Sequence, residues 1–359
     1  MQAGIEADRA GWQGRLEQAG AAALAVLGPA VDEADPEGRV LPRSRMLCAA
    51  LGELGVLAFN ALGGGGGERE GEVRLAAAAL SLLTKIDDEV IDRRPFHGGM
   101  ATDRRVVRAR TEAFLAPTLA SLGTGLAANA EPRCAFAADV GRRLARLAAS
   151  RAHLHHVLEV IAEGWRVQVD AVATLSSHPG ELSLAEVAGV TRRISGAWLL
   201  MIALVGSLPA EAARPFTADE EEAIHDWGFH IQRADALADL QKDLEDGLVS
   251  SYAGRLLWER EPARYLRACR AGDAAALYAM AARHRVDEAC LRGGEDPTEL
   301  AARLRGLGEV GDLLAWIHGF LIRRYLTHPL CQRDLGHARH AHHARHANKT
   351  SEAEARTGT

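Results

Sequence analysis

The feature that most constrains the fold is a recurrence of apolar residues at spacings of three and four along most of the chain. Ala, Leu and Arg dominate these segments, and all three favour helix. Runs in which β-branched and polar residues alternate, the pattern of a half-buried strand, are hard to find. The sequence therefore predicts an all-α protein. Hydrophobic residues make up 48% of the 359 residues, which is enough for a sizeable core.

Five consecutive glycines, residues 63–67, predict a flexible joint in this helical pattern. No strand precedes the run and no Lys-Ser/Thr pair follows it, so a phosphate-binding loop is not expected. We place an N-terminal helical segment at 1–67 and a main helical domain at 68–332. Residues 333–359 are polar and rich in histidine, and we expect this tail to be disordered.

Two helix starts are marked by capping boxes, in which a Ser or Thr and a Glu three residues later satisfy each other's backbone N–H groups. The first is Ser183–Glu186 and the second is Thr217–Glu220. The second should open a long helix that runs to Asp246, because Gly247 supplies the left-handed residue that commonly closes a helix.

Several classes of function are disfavoured by composition. A net charge of −6 without a basic face argues against nucleic-acid binding. The five cysteines are scattered, odd in number and never spaced as CxxC, so neither a disulfide framework nor a zinc site is expected. The N-terminus lacks the plan of a signal peptide, and the longest apolar run, 197–208, is too short to span a bilayer. We expect a cytoplasmic protein that would meet a membrane only through a lipid product. No dinucleotide fingerprint indicates NADPH.

The first acidic motif is the segment KIDDEVID, residues 85–92, which follows a strongly apolar stretch. On a helix, Asp88 and Asp92 lie four residues apart and share a face. Like charges in this arrangement repel by a few tenths of a kcal/mol when exposed and by more when buried. A bound cation is the natural compensation.

The second acidic motif, residues 232–243, carries Asp235, Asp239 and Asp243 at repeated four-residue spacing. At a rise of 1.5 Å per residue they form a carboxylate stripe about 12 Å long. Magnesium prefers hard oxygen ligands and is usually completed by water and substrate phosphate oxygens. Such a stripe on each of two facing helices would hold magnesium ions with a diphosphate between them.

An acidic stripe on a helix is most often a solvated face, and this alternative predicts a purely structural helical protein. The context of both motifs favours the metal site instead, because their flanks are apolar. The chain has only three lysines, and two of them, Lys85 and Lys242, lie inside the motifs, where they would meet diphosphate oxygens.

The two motifs resemble those of the squalene and phytoene synthase family, within the all-α class I isoprenoid synthases. The family's first motif, DxxxD, is matched by Asp88 and Asp92. Its second motif, QxxNxxxDxxxD, is matched by Gln232, Asp235, Asp239 and Asp243. Between them, EVIAEGWRVQVD (159–170) looks like the family's central helix and VTRRISGAWLLMIALVG (190–206) like its YxxxVAGxVG helix. The resemblance covers roughly residues 76–252.

This resemblance implies a single large helical bundle of the class I isoprenoid synthase type with a central apolar cavity. It also implies three Mg²⁺ ions, held by the five aspartates of the two motifs, and a prenyl diphosphate substrate. Ionisation of the allylic diphosphate and prenyl transfer, with squalene- or phytoene-type condensation, is the expected activity. A class I terpene cyclase is the alternative, since its metal triad has the same spacing as the second motif.

Four positions depart from the family pattern: Val190 replaces a tyrosine, Leu199 a glycine, Asp235 an asparagine and Gln168 an aspartate. These changes leave the metal ligands intact but bear on the head-to-head condensation. They also keep open a third alternative, a family member that has lost catalysis.

Further residues complete the predicted site. Arginines next to the motifs are candidates, with the two lysines, for gripping the diphosphate: Arg93, Arg94 and Arg233. Residues on the helices between and within the motifs are candidates for lining the prenyl-chain cavity: Trp165, Trp198, Leu199, Met201, Ile202 and Gln232.

Overall fold

The fold is given by a computed structural model, which describes residues 2–65, 67–212, 214–292 and 297–330. Within these ranges every regular element is a helix and none is a strand, so the all-α prediction is confirmed. The α-helices in chain order are α1 (Gln2–Ala34), α2 (Pro42–Ala50), α3 (Gly52–Ala61), α4 (Glu68–Ile91), α5 (Arg94–His97), α6 (Arg104–Thr124), α7 (Pro132–Leu147), α8 (Arg151–Leu175), α9 (Leu184–Leu204), α10 (Ala218–Ala238), α11 (Leu240–Asp246), α12 (Tyr252–Arg260), α13 (Pro262–Ala271), α14 (Ala274–Arg283), α15 (Val286–Arg292), α16 (Pro297–Arg303) and α17 (Val310–Leu326).

Both predicted capping boxes are confirmed. The Ser183 hydroxyl accepts the Glu186 N–H, and the Glu186 carboxylate accepts the Ser183 N–H at 2.7 Å. Thr217 and Glu220 make the same reciprocal pair at the start of α10. These caps fix where α9 and α10 begin, and α9 and α10 carry part of the site described below.

The predicted long helix from Thr217 to Asp246 is wrong in one respect, because it is interrupted at Asp239. This residue leaves helical geometry, with φ −105° and ψ 13°, and separates α10 from α11. Gly247 closes α11 in the left-handed region at φ 83°, as expected. The carboxylate stripe therefore continues across a break between two helices.

The central layer is formed by α8, α9 and α10. Glycines allow α9 and α10 to approach closely, since a Cβ on Gly228 would meet the backbone of Gly196. The segment Leu184–Ser207 is long and apolar enough to cross a membrane by length and composition. Here it packs between α8 and α10, and this burial accounts for its apolar character.

One large hydrophobic core extends from Leu16 on α1 to Leu321 on α17. It includes residues on both sides of the glycine run, such as Phe59 on α3 and Leu82 on α4, so the segment 1–67 shares its core with the helices that follow. Gly63 and Gly67 adopt positive φ at the turn between α3 and α4. The histidine-rich segment 333–359 lies outside the described residues.

A second, smaller core joins the end of α10 to α11–α15 and to Tyr325 on α17. It packs around Leu237, Leu257 and Tyr278, which are all fully buried. Since α10 contributes to both cores, its C-terminal end lies where they meet.

Candidate functional site

A cavity of about 270 Å³ lies among α2, α4, α8, α9, α10, α11 and α17. The five aspartates predicted from the sequence all line it: Asp88 and Asp92 on α4, and Asp235, Asp239 and Asp243 on α10, its end and α11. A larger but open depression of about 530 Å³ on α13, lined by Ala263, Arg267, Arg270 and Ala271, contains none of the predicted site residues. The fold thus brings two motifs that are distant in sequence to one cavity.

Apolar and aromatic side chains form the rest of the wall. The main ones are Leu47 on α2, Leu51 between α2 and α3, Ile194 and Trp198 on α9, Ile231 on α10, and Trp316, Phe320 and Leu321 on α17. The cavity therefore combines a cluster of carboxylates with a surface that suits a hydrocarbon chain.

The α4 side of the cavity is neutralised by a lysine of the same helix. Lys85 Nζ lies 2.6 Å from Asp88 Oδ2 and 2.9 Å from Glu89 Oε1. Gln168 on α8 donates to the other Asp88 oxygen at 2.8 Å. Burial raises the pKa of Asp88, but the Lys85 ammonium outweighs it and the net pKa is lowered. At Asp92, burial and the nearby Asp88 carboxylate together raise the pKa well above its ordinary value.

The second side is neutralised from a distant part of the chain. Arg324 on α17 places Nη2 2.5 Å from Asp239 Oδ1 and Nη1 3.9 Å from Asp235 Oδ1. The contact with Asp239 is an ion pair without the alignment of a hydrogen bond. Burial and the Asp239 carboxylate raise the pKa of Asp235 to about 7, and the same two causes raise the pKa of Asp243 well above its ordinary value.

The break at Asp239 keeps the three aspartates on one side of the chain. Asp239 N donates to Asp235 O at 2.8 Å, and Asp243 N donates to Asp239 O at 2.7 Å. Backbone hydrogen bonds between residues four apart therefore continue across the break, although Asp239 itself is not helical. Lys242 also lines the cavity, but its Nζ pairs with Asp246 at 2.6 Å rather than with the three aspartates.

The donor set fits magnesium. Carboxylate oxygens are the hard ligands that magnesium prefers. Burial, and after it a neighbouring carboxylate, raise the pKa values of Asp92, Asp235 and Asp243, and a bound cation would offset both effects. In the described part of the chain, no three His, Cys, Asp or Glu side chains lie close enough to hold one ion alone. Each ion would thus need water or phosphate oxygens, which is the usual way that magnesium is bound.

Several predicted lining residues are placed at or beside the cavity. Lys85, Trp198 and Gln232 line it, and Gln232 Oε1 accepts the hydroxyl of Ser195. Trp165 and Met201 line a small adjoining cavity of about 20 Å³, which shares Trp198 and Gln168 with the main one.

Leu199 and Ile202 do not line the main cavity or its small neighbour. Both are fully buried in the large core. Leu199 follows Trp198 by one residue and points to a different face of α9. Ile202 shares the face of Ile194 and Trp198, but it lies one turn farther along α9 than the cavity extends. Helix packing accounts for their apolar character, so predicting them as cavity residues was wrong.

The three arginines predicted to grip diphosphate do not line the cavity either. Arg233 is buried on another face of α10, where it donates to His230 Nδ1 at 3.0 Å and stacks over Phe229. Arg93 follows the end of α4 in extended geometry and contacts Glu89 at 3.5 Å. Arg94, on α5, packs near Gly247. Adjacency in sequence to a motif did not predict the direction of these side chains.

Sequence reasoning missed Arg324, the arginine in contact with the carboxylates. It lies beyond the region of resemblance and in a chain rich in arginine, so no local signal distinguishes it. Gln168 was noticed only as a departure from a family pattern, although it contacts Asp88 directly.

Comparison of the chain with protein-family models gives no match. A search of curated proteins gives no significant match either.

Proposed function

We propose that this protein uses magnesium to ionise an allylic prenyl diphosphate and then transfers the prenyl group, most simply in a squalene- or phytoene-type condensation. The observation that supports this proposal is the position of five aspartates from two motifs on the wall of one cavity that is otherwise largely apolar. If the two acidic stripes were only solvated helix faces, nothing would require both of them to line one cavity or that cavity to have an apolar wall.

Asp88 and Asp92 would hold metal from one side, and Asp235, Asp239 and Asp243 from the other. Bound magnesium would supply charge that stabilises the departing diphosphate. Lys85, Lys242 and Arg324 line the same cavity and would turn from carboxylates to diphosphate oxygens when substrate binds. In this exchange each of the three cations pairs with an anion both before and after the substrate binds.

The apolar wall would surround the prenyl chain and exclude water from the allylic cation. Trp198, Trp316 and Phe320 present aromatic rings to the cavity, and the face of an aromatic ring attracts a cation. The chain thus offers both parts of the chemistry: a polar end for the diphosphate and an aromatic chamber for the cation.

The volume of the cavity favours cyclisation as a second candidate. At about 270 Å³ it lies near the lower limit, roughly 300 Å³, of ordinary sites for a single small molecule. One prenyl chain suits this space better than two. Capture of the cation by the substrate's own double bond would give a cyclic terpene without a second substrate.

The test is to incubate the purified protein with magnesium and allylic diphosphates of ten, fifteen and twenty carbons, and to analyse the extract by mass spectrometry. A product with twice the carbon number, either a hydrocarbon formed by loss of a proton or a condensed diphosphate, supports condensation, and a hydrocarbon with the same carbon number supports cyclisation. Parallel reactions with a chelator in place of magnesium should give neither. Absence of any product from all three substrates, in a folded sample, would contradict the proposal.

A further inference from the structure

The first acidic motif contains two consecutive aspartates that point in different directions. Asp88 faces the cavity, whereas Asp87 is 2% exposed and points into the protein. Asp87 Oδ1 accepts from Arg133 Nη1 at 2.7 Å, and Asp87 Oδ2 accepts from Trp165 Nε1 at 3.1 Å. Both carboxylate oxygens are therefore used inside the fold.

Arg133 is itself held in place. It lies on α7, and Nη2 donates to the Phe114 carbonyl of α6 and to Glu131, both at 3.1 Å. Its guanidinium lies 3.8 Å from the centre of the Phe114 ring. Asp87 is thus fixed to three neighbouring helices, α6, α7 and α8, through one buried network.

The helix α8 contacts both aspartates with side chains three residues apart. Trp165 donates to Asp87, and Gln168 donates to Asp88. Consecutive residues of an α-helix point about 100° apart, because the helix has 3.6 residues per turn. Fixing Asp87 on the inner side of α4 therefore fixes the direction of Asp88, and of Asp92 one turn later.

We propose that Asp87 is a positioning residue, which with Arg133 and Trp165 sets the rotation of α4 so that Asp88 and Asp92 face the metal cluster. This inference rests on the function proposed above. A buried ion pair often adds little to stability compared with apolar residues, but it restricts the arrangements that the helices can adopt. The network would orient α4, which carries the proposed ligands. Residues that hydrogen-bond to a metal ligand orient that ligand in the same way in known metal sites.

The first experiment removes one donor without changing a charge. Trp165→Phe deletes the N–H that Asp87 accepts and keeps an aromatic ring in the core. Trp227→Phe is the matched control, since Trp227 is also buried but its Nε1 has no hydrogen-bond partner among the described residues. The readout is binding of Mn²⁺ in the presence of inorganic diphosphate, measured by the paramagnetic resonance signal of free Mn²⁺. This probe has no prenyl chain, so a change in cavity shape does not enter the result.

We expect Trp165→Phe to weaken Mn²⁺ binding about 10-fold, which is typical when a residue that supports a metal ligand is replaced. Trp227→Phe should bind as the wild type does, although both variants lose some thermal stability. Equal affinity in the two variants would overturn the positioning role.

A second variant, Asp87→Asn, keeps an acceptor for Trp165 but removes the charge that faces Arg133. Circular dichroism and a cooperative thermal transition establish whether it folds. If it does, Mn²⁺ binding should fall by about 10- to 100-fold, and wild-type affinity in the folded variant would overturn the inference. If it does not fold, the comparison of the two tryptophan variants decides the matter.

The outcomes separate this inference from the proposed function. A wild-type protein that binds no Mn²⁺ with diphosphate would overturn both. A wild-type protein that binds, together with a Trp165→Phe variant that binds equally well, would overturn the positioning role and leave the metal site standing.

Discussion

The two sides of the cavity carry similar carboxylates but are built differently. On one side, Asp88 lies on α4 and Asp92 is the residue that ends this helix, and Lys85 of the preceding turn pairs with Asp88. On the opposite side, the helix is interrupted at Asp239, and the neutralising cation is Arg324 from the last helix. The ion pair of Asp88 with Lys85 is local to α4, whereas the ion pair of Asp239 with Arg324 forms only when α17 has packed against α10.

This difference also appears in the proton affinity of the carboxylates. The pKa of Asp88 is lowered because Lys85 outweighs its burial, whereas burial and a neighbouring carboxylate raise the pKa of Asp92 on the same side and of Asp235 and Asp243 on the other. On the α10–α11 side three carboxylates line the cavity and Arg324 pairs with two of them, so a divalent cation should gain most from this side.

The largest effect is expected from Asp239→Asn, which removes one charge at the centre of the less compensated side. The amide nearly preserves size and polarity, so a solvated helix would be unaffected or slightly stabilised by reduced repulsion. A metal ligand behaves differently, and product formation should fall about 100-fold or more, as loss of one strong electrostatic contact usually causes. The measurement is the rate of product formation with the substrate that reacts best.

Glu245→Gln is the matched control for this variant. Glu245 lies on α11, is exposed, and accepts a hydrogen bond from Gln241 at 2.8 Å outside the cavity. It undergoes the same change from carboxylate to amide and should keep the wild-type rate. Full activity in Asp239→Asn would show that the metal does not bind on this side.

The next effect concerns the cation that joins this side to α17. Arg324→Gln should lower kcat/KM for a prenyl diphosphate about 10-fold, the loss of one charge-assisted hydrogen bond of about 1.4 kcal/mol. The side chain is 41% exposed, so its ion pair should add less than about 1 kcal/mol to folding stability. Steady-state kinetics and urea unfolding measure the two quantities. A large loss of stability with unchanged kcat/KM would indicate a structural role alone.

The sequence predicts those structural features that residues close to one another in the chain determine. Ser183 and Thr217 cap their helices through residues three positions away, and the spacing of the aspartates places them on one face. The spacing did not predict the break at Asp239; directly before it, Ala238 O accepts a hydrogen bond from Tyr278 on α14 at 3.4 Å, a contact between residues distant in sequence. The partnership of Arg324 with Asp239 likewise joins residues that only the folded chain brings together.

A smaller effect tests the excess charge on the α10–α11 side through pH. The pKa of Asp235 is about 7 in the folded protein and has an ordinary value of 3.8. Between these values the folded state keeps a proton on Asp235 that the unfolded state has lost, so the contribution of Asp235 to the unfolding free energy should fall as pH rises from about 4 to 7. Because the side chain is 32% exposed, we expect about 1 kcal/mol rather than the full shift.

The wild type should lose stability relative to Asp235→Asn as pH rises over this range, measured by urea unfolding of both proteins at intervals of pH without metal. Magnesium with inorganic diphosphate should act in the opposite direction, since ligands must lose their protons to bind metal. Its stabilisation of the wild type should therefore grow over the same pH range. His318, whose pKa burial lowers to about 4, acts in the opposite direction in both proteins, so the readout is the difference between them. A difference in unfolding free energy between wild type and Asp235→Asn that stays constant from about pH 4 to 7 without metal would contradict the raised pKa.

The smallest effect is expected from Arg93→Gln, and it sets the sequence-based choice of arginine against the structural one. Arg93 directly follows the first motif, but its Nη2 donates to the Arg39 carbonyl at 3.4 Å and lies 3.5 Å from Glu89, outside the cavity lining. Its loss should change kcat/KM by less than about 2-fold, or roughly 0.4 kcal/mol, because the side chain pairs with Glu89 and does not line the cavity. Arg93→Gln and Arg324→Gln are measured with the same substrate. The comparison shows whether kcat/KM depends more on the arginine next to the motif in sequence or on the arginine at the cavity. A loss in Arg93→Gln that equals or exceeds the loss in Arg324→Gln would mean that the end of α4 moves toward the cavity when substrate binds, and that the diphosphate lies nearer to α4 than to α17.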